Sequence, residues 1–380
     1  MGIYLLATQH WEPASIGAVM SISGIAGVLA QTPAGLLVDA VRQKRLLIII
    51  AAGLIAIACP MMVLIPKFST VVTGQVLIGI AATVFPPAIA AITLGMVGYR
   101  NLDRRMGRNE SFNHTGNVLA AALAGLFGHF IGREWIFYLV AAMAVGSAIA
   151  SLRIREQDID HELARGAVVA EKSEAFKTTP HQSGFLMLWR DRRLLIFSIS
   201  VILFHFANAA MLPLVGQYLA VGKATGASLY MSACIIVAQL VMIPVASLSG
   251  RLAGSWGHKT IFLIAFFVLP IRGVLYTLSN NPYFLVSIQI LDGIGAGIFG
   301  VVSVIIVAEL TKGTGRFNFV QGAIATAIGI GASLSNLMTG FIVQQAGYKT
   351  GFLTLAGIAA IAFLVFSLAM PETRPKREKA

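Results

Sequence analysis

Eleven stretches of this chain are long and apolar enough to cross a lipid bilayer, and no other property restricts its fold so severely. They run roughly 15–38, 46–66, 71–98, 111–131, 134–152, 193–219, 227–248, 261–279, 282–309, 318–341 and 350–370. A bilayer's hydrocarbon core is about 30 Å thick and takes ~20 helical residues to span. Inside it every backbone N–H and C=O must be paired internally, so these stretches are expected to be helices rather than open strands. Composition agrees: 57% of residues are hydrophobic, 12% are charged and the mean hydropathy is +0.81. The 38 glycines suit a bundle in which helix backbones approach closely without a hydrophobic drive between them.

A formal net charge of +12 would suit a nucleic-acid binder, but its distribution argues against one. Of 28 Lys and Arg residues, 23 fall in one alternate set of loops and the C-terminal tail: 42–45, 100–108, 153–193, 251–259, 312–316 and 374–379. The other loops hold only Lys67, Arg133, Lys223 and Lys349, while Arg272 lies within a helix. This is the positive-inside bias. It places the C-terminus and the long 153–192 loop in the cytoplasm, against anionic lipid. Cys59 and Cys234 both lie in apolar helices, where thiols behave as small hydrophobes, and no disulfide is expected. The sequons at Asn109 and Asn113 fall on the cytoplasmic side and read as chance. Met1 precedes only a short apolar scrap with no basic leader, so no cleavable signal is expected.

The chain repeats itself. Gln75-Val-Leu-Ile-Gly79-Ile-Ala-Ala-Thr-Val-Phe85 returns 214 residues later as Gln289-Ile-Leu-Asp-Gly293-Ile-Gly-Ala-Gly-Ile-Phe299. The loop Gly35-Leu-Leu37-Val-Asp39-Ala-Val-Arg42-Gln-Lys44-Arg45 returns at an offset of 215 as Gly250-Arg-Leu-Ala-Gly254-Ser-Trp-Gly257-His-Lys259. Gly107-Arg108 and Gly315-Arg316 each precede the following helix, and Gly116 and Gly125 share the nine-residue step of Gly322 and Gly331. The first loop resembles the one joining the second and third helices in the major facilitator superfamily (MFS) of secondary transporters. That resemblance implies two pseudo-symmetric six-helix bundles, here 1–152 and 193–370, joined by a cytoplasmic linker at 153–192 and followed by a tail at 371–380. The stretch Phe185 to Leu195, containing Trp189, reads as an amphipathic segment lying on the inner face of the membrane.

The repeat also exposes an imbalance. Tyr4-Leu5 aligns with Tyr218-Leu219, yet the second half carries Leu194 to Gly216 before that point and the first half only three residues. The chain is therefore expected to lack most of its first membrane helix, through a start codon set too far downstream or a truncation. The alternative is an eleven-helix protein with its N-terminus outside. Counting the missing helix, 193–219 becomes the seventh and 282–309 the tenth, two of the four that line the central cavity in the family.

An ionisable residue inside hydrocarbon is a functional candidate by default. His205 lies about 12 residues, or ~18 Å, into the seventh helix, and Asp292 about 10 residues, or ~15 Å, into the tenth. Asn208 and Gln289 stand three residues from each, on the same faces. These four, with Gln75 in the fourth helix, are the expected substrate- and proton-binding residues. Asp292 is suited to exchanging a proton, and His205 changes charge near neutral pH even in water. The plainer alternatives are that Asp292 neutralises Arg272 and that His205 donates to a carbonyl.

For the loop, the resemblance implies a gate. Gly35, Leu37, Asp39, Arg42 and Lys44 match the family pattern; the glycine usual after the aspartate's turn is missing. Asp39 is expected to hold a neighbouring helix N-terminus and to pair with Arg42. In the second copy Gly250 and Lys259 persist, but Gly254 replaces the aspartate, so one strong latch and one weak one are expected. Pro86-Pro87 should bend the fourth helix. Two departures concern drug–proton antiporters, which often carry an arginine where Gln75 stands and a Gly-Pro motif in the fifth helix. Here His129 stands in place of a glycine there, and the proline is missing.

No GxxxxGK[ST] loop is present to cradle a nucleotide, and no HExxH, CxxC or zinc spacing occurs. No cofactor, metal or enzymatic activity is expected. His10, His114, His129, His161, His181 and His258 are scattered at ends and loops. The function these features imply is secondary active transport of a small organic solute by alternating access, as proton-coupled export from a monomer in the plasma (inner) membrane. Solute–proton uptake, or a transporter-like protein that does not transport, are the alternatives.

Overall fold

The computed structural model describes residues 4–5, 9–11, 13–167, 190–221 and 227–374. Residues 185–189 of the expected amphipathic segment Phe185 to Leu195, most of the linker and the last six residues lie outside these. The regular structure among the described residues is all helical, as expected, with no strands. In chain order the helices are α1 (Pro13–Ala40), α2 (Lys44–Leu64), α3 (Phe68–Ala82), α4 (Phe85–Phe130), α5 (Trp135–Leu152), the short α6 (His161–Ala164), α7 (Arg192–Asn208), α8 (Met211–Val221), α9 (Ala227–Trp256), α10 (His258–Leu275), α11 (Pro282–Ser287), α12 (Gln289–Leu310) and α13 (Phe317–Ala369).

Nine helical stretches among the described residues are long and apolar enough to span a membrane. Two of them, Phe68–Gly128 at 61 residues and Phe317–Ala369 at 53, are each long enough for two crossings. Each breaks at a glycine in the left-handed region, Gly98 (φ 67°) and Gly347 (φ 81°), a conformation that costs a residue with a Cβ dearly. Counted this way, the crossings number the eleven expected. Their outward faces carry large apolar side chains open to the surroundings, among them Ile25, Leu29, Ile57, Leu337 and Leu368. So much exposed apolar surface suits hydrocarbon and not water.

Pro86-Pro87 sits where α3 ends and α4 restarts at Phe85. There the missing amide donors fall in a first turn that has no use for them. The seventh helix of the sequence reading is also broken, between Asn208 and Met211. Pro213 accounts for this, because its ring collides with the carbonyl four residues back, that of Ala209. The buried N–H of Ala210 donates instead to the hydroxyl oxygen of Ser335, at 3.0 Å.

The chain resolves into two compact units. One holds Met1–Gly98, Leu119–Glu171 and Lys312–Thr326; the other holds Tyr99–Val118, Lys172–Thr311 and Ala327–Ala380. In the first unit, α2 packs on α3 and α5, and α1 packs on α3. Gly79 approaches the Ser23 carbonyl there so closely that a Cβ would stand 3.0 Å from it. In the second unit α12 is the central element, packed on α9 and α10. Its glycines make this possible: a Cβ on Gly293 would meet Val241 at 2.6 Å and one on Gly297 would meet Val245 at 3.0 Å. Aromatic rings fill the space between α7, α10, α12 and the end of α13. Phe204 stacks on Phe299 at 4.9 Å, and Phe266 on Phe366 at 4.7 Å.

The repeat extends further than the sequence reading took it, at the loop's offset of 215. Gly35 and Gly322 form one helix crossing: a Cβ on Gly35 would strike the Asn318 carbonyl, and one on Gly322 the Gln31 carbonyl. Gly250 and Gly107 form its counterpart, against the carbonyls of Asp103 and Ala246. Gly107 therefore corresponds to Gly322, not Gly315. The same 215-residue step relates Gly98 to Gly313, Gly116 to Gly331, Gly125 to Gly340 and Gly132 to Gly347. Gly98, Gly313, Gly132 and Gly347 all adopt positive φ.

Candidate functional site

The second unit holds an ion pair in its interior. Arg272 of α10, only 3% exposed, donates from Nη1 to Oδ1 of Asp292 on α12. Two buried charges survive in an apolar medium only as a well-bonded pair, and removing one partner costs about 3–5 kcal/mol. The Arg272 guanidinium also lies 5.9 Å from the ring centroid of Tyr276, one turn along the same helix. A small cavity adjoins the pair, lined by Phe204, Asn208, Val268, Leu269, Leu291 and Gly295 among others. Asp292 is the more open partner, with 14% of its side chain exposed.

Of the four residues expected to line one surface, this geometry brings together Asp292 and Asn208. Gln289 is fully buried and turned elsewhere. Its Nε2 donates to the Tyr276 hydroxyl at 2.8 Å and to the Leu285 carbonyl at 3.2 Å. Tyr276 links it to Arg272, whose guanidinium lies over that ring. His205 sits among rings, edge-on to Phe299 at 4.7 Å and to Phe204 at 5.4 Å, and no described donor or acceptor reaches its Nε2. Gln75 belongs to the first unit, where its Nε2 lies 3.5 Å from Met62 Sδ and its carbonyl accepts from Ser23 at 2.9 Å.

The loop residues form a well-defined anchor in the first unit. Asp39, 7% exposed, accepts three hydrogen bonds from the start of α13. Its Oδ1 takes the Asn318 amide at 3.2 Å and Nδ2 at 2.8 Å, and its Oδ2 takes the Phe319 amide at 2.7 Å. A carboxylate capping orphan first-turn amides is the arrangement expected of it. Gly35, one turn earlier, is what lets the two helices meet there. Arg42 forms no salt bridge with Asp39. Lys44 is the nearby buried cation: it is 1% exposed, with Nζ on the carbonyls of Val38 (2.9 Å) and Val41 (3.1 Å). Leu37 faces outward, 45% exposed.

In the second copy the acid has moved to the other helix. Asp103 stands 215 residues before Asn318, and its Oδ2 lies 3.4 Å from His258 Nε2 and 3.3 Å from where a Cβ on Gly254 would be. The segment after the last helix adds a clamp. Glu372 accepts from the backbone amides of His258 (2.9 Å) and Lys259 (3.2 Å), and Lys259 Nζ donates to the Ser367 carbonyl at 2.7 Å. Sequence reasoning missed Asp103 and Glu372 because it searched for the acid at the aspartate's own position, where glycine stands.

A second omission is His114. Expected among the histidines at ends and loops, it is carried by α4 inside the second unit, 9% exposed and 2.8 Å from Gln239 of α9. Glu110 lies one turn before it, with Oε2 over Gly300 of α12. The signal that was available is the four-residue spacing of Glu110 and His114 on one helix face.

The family model of the Major Facilitator Superfamily matches residues 1–271 and 241–380, together the whole chain. The chain is 48% identical over 373 residues to an uncharacterized MFS-type transporter of Mycobacterium tuberculosis, covering 98% of this chain and 88% of that one. It is 22% identical to the sucrose permease of Escherichia coli over 92% of this chain and 83% of that one. Among solved structures it is similar in fold to FucP, an MFS transporter crystallised in the outward conformation. There the TM-score is 0.73 and the identity 12%, over 95% of this chain and 91% of that one. Helices, repeat, loop anchor and relatives agree: the chain is a multi-pass membrane transporter and belongs to the major facilitator superfamily.

Proposed function

We propose that this transporter is a proton-coupled secondary carrier that exports a small, partly apolar organic solute by alternating access. The buried Arg272–Asp292 pair beside the Asn208-lined cavity is the observation that carries the reading. Protonating Asp292 would cancel its charge and release Arg272, so that proton and cargo compete for one polar spot in an otherwise apolar wall. Asn208 orients the cargo, Gln289 positions Arg272 through Tyr276, and His205 braces the aromatic cluster beside them. Gln75 stands at the position of Gln289 in the other copy of the repeat.

The halves 1–152 and 193–370 rock about this level. The Asp39 anchor on α13 is the latch of one access state and opens in the other, with Gly35, Leu37, Arg42 and Lys44 shaping its loop and Gly250 and Lys259 shaping the counterpart. Charge bias supports an inner-membrane protein with a cytoplasmic C-terminus and without nucleic-acid partners; the carrier is taken to work as a monomer.

The apolar lining of the cavity favours export of such a cargo. Uptake is the second reading, favoured by the likeness over most of the chain to a protein named sucrose permease and by a second FucP structure described as a fucose:proton symporter. A thermal-shift screen of the purified chain supplies a cargo. Inside-out vesicles with an imposed proton gradient then report direction by the sign of its movement. In proteoliposomes Asp292→Asn should lose gradient-driven accumulation at least tenfold while retaining cargo exchange. The double variant Arg272→Gln/Asp292→Asn serves if the unpaired arginine prevents folding. Normal accumulation by these variants removes Asp292 from the coupling.

A further inference from the structure

We propose that Gln31 of α1 and Gln321 of α13 are gating residues that push the α1–α13 crossing apart, in opposition to the Asp39 cap that holds it shut. The proposal rests on reading Asp39 as a latch that opens. α1 and residues 317–326 both lie in the first unit and within membrane-spanning stretches. Beyond the cap, polar side chains line the crossing on both helices. Gln31 stands eight residues, or ~12 Å, before Asp39, and Gln321 three residues, or ~5 Å, past Asn318. They border the closest approach, because the Gln31 carbonyl is the group that a Cβ on Gly322 would strike.

Hydrogen-bond accounting divides these polar groups into two sets. Thr326 donates to the Gly322 carbonyl at 3.1 Å, which uses its single hydrogen, so Thr32 is the donor to Thr326 Oγ1 at 2.9 Å. Both hydroxyls thus have partners. Gln31 Oε1, Gln321 Nε2 and Asn318 Oδ1 are buried, and no described group pairs with them. An unpaired buried polar atom disfavours the state that contains it by about fivefold to a hundredfold. Separating the helices admits water to these atoms, so the cost falls on the closed crossing alone. The three bonds that Asp39 accepts pull the other way. The orphaned amides therefore bring the closed and open crossings closer in free energy than the cap alone would leave them.

The other copy of the repeat supplies the contrast. At the 215-residue step Gln31 corresponds to Ala246 and Gln321 to Met106. Both are buried, and among the described residues no buried side-chain polar atom of 103–111 or 246–254 lacks a partner. That crossing has the weaker acid contact, at 3.4 Å, and apolar residues in place of the two amides. A strong cap occurs with orphaned amides and a weak contact with apolar side chains, which is the pairing that two opposing terms require.

The balance can be tested without a cargo. Gln321→Met copies Met106 in an unbranched side chain of similar length, and Gln31→Met is the matching change on α1. The full chain, purified in detergent, would be followed by hydrogen exchange in peptides covering 316–322, because Asp39 holds the amides of Asn318 and Phe319 while the crossing is closed. Each variant should slow exchange there about fivefold or more, with α12 unchanged. Leucine replaces methionine if either variant does not fold. Asp39→Asn/Gln321→Met should exchange more slowly than Asp39→Asn alone. Unchanged or faster exchange in both single variants overturns the proposal, because water would then already complete the amides in the closed crossing. Slowing that extends equally to α12 overturns it too, as a general gain in stability. Failure of the latch reading has a different signature: Asp39→Asn then exchanges like the native chain, whatever the methionine variants do, and the proposal falls with it.

Discussion

The two loop crossings place the same backbones together with opposite distributions of charge. At the 35–39 crossing the carboxylate is on the loop side, in Asp39, and grips the amides of Asn318 and Phe319. At the 250–254 crossing the loop side has Gly254, while the carboxylate, Asp103, stands on the opposite helix at the Asn318 position and faces His258. The glycines that set the approach are common to both, Gly35 with Gly322 and Gly250 with Gly107. Duplication has preserved the steric requirement and let the electrostatics change sides. One contact is a helix cap with three donors on one buried acid. The other is a longer acid–histidine contact, backed by Glu372 from beyond the last helix.

This contrast is most severely tested at the shared glycines. Gly35→Val and Gly250→Val should each disrupt their crossing, because the new atoms meet backbone carbonyls that cannot move alone. Overpacking of this kind typically costs about 1–3 kcal/mol. Thermal unfolding of the purified protein should show comparable losses for both, whereas Gly116→Ala, with nothing within 4 Å of its Cβ, should show none. Tolerance at one glycine and not the other would break the symmetry.

Next in size is Asp39→Asn. Hydrogen bonds to a charged group are worth about 1.5–3 kcal/mol apiece, and the amide keeps only part of them. Faster amide hydrogen exchange at Asn318 and Phe319 is the expected signature, with cargo affinity unchanged; unaltered exchange would deny the cap its strength. The smallest effect belongs to Asp103→Asn, whose contact with His258 is 3.4 Å long. A double-mutant cycle of Asp103→Asn with His258→Gln should give a coupling of about 0.5–1 kcal/mol, below that of Asp39→Asn with Asn318→Ala. Equal couplings would mean that the second crossing is as strongly held as the first.

Much of this was legible in the chain. The count of crossings follows from runs of apolar residues, because a bilayer permits only one reading of them. Asp39 at a helix end was legible because a short loop with one acid among several cations has few uses. The register of the repeat beyond the loop was not. Gly107, Gly116 and Gly125 form a ladder with a nine-residue step that can slide by one rung against Gly322, Gly331 and Gly340; only the contacts at the crossings remove the ambiguity. Asp103 was hidden because the acid changed helices, and complementarity between distant segments leaves no local mark. His114 and Glu110 were hidden by their neighbours Arg104, Arg105 and Arg108, which made the start of that helix look like loop. Gln289, three residues from Asp292 on the same helix, points to Tyr276 because a side-chain amide follows the nearest partner and not the helix wheel.

The broken helix near Asn208 has a consequence of its own. The amide of Ala210 is completed by Ser335, a hydroxyl borrowed from another helix. Hydrocarbon offers no water to replace it, so the upper segment beyond the break cannot swing or straighten alone: it must carry its lender along or leave an amide stranded. A seam of this kind turns two helices into one moving part and fixes in advance which pieces of the wall travel together when the pathway opens.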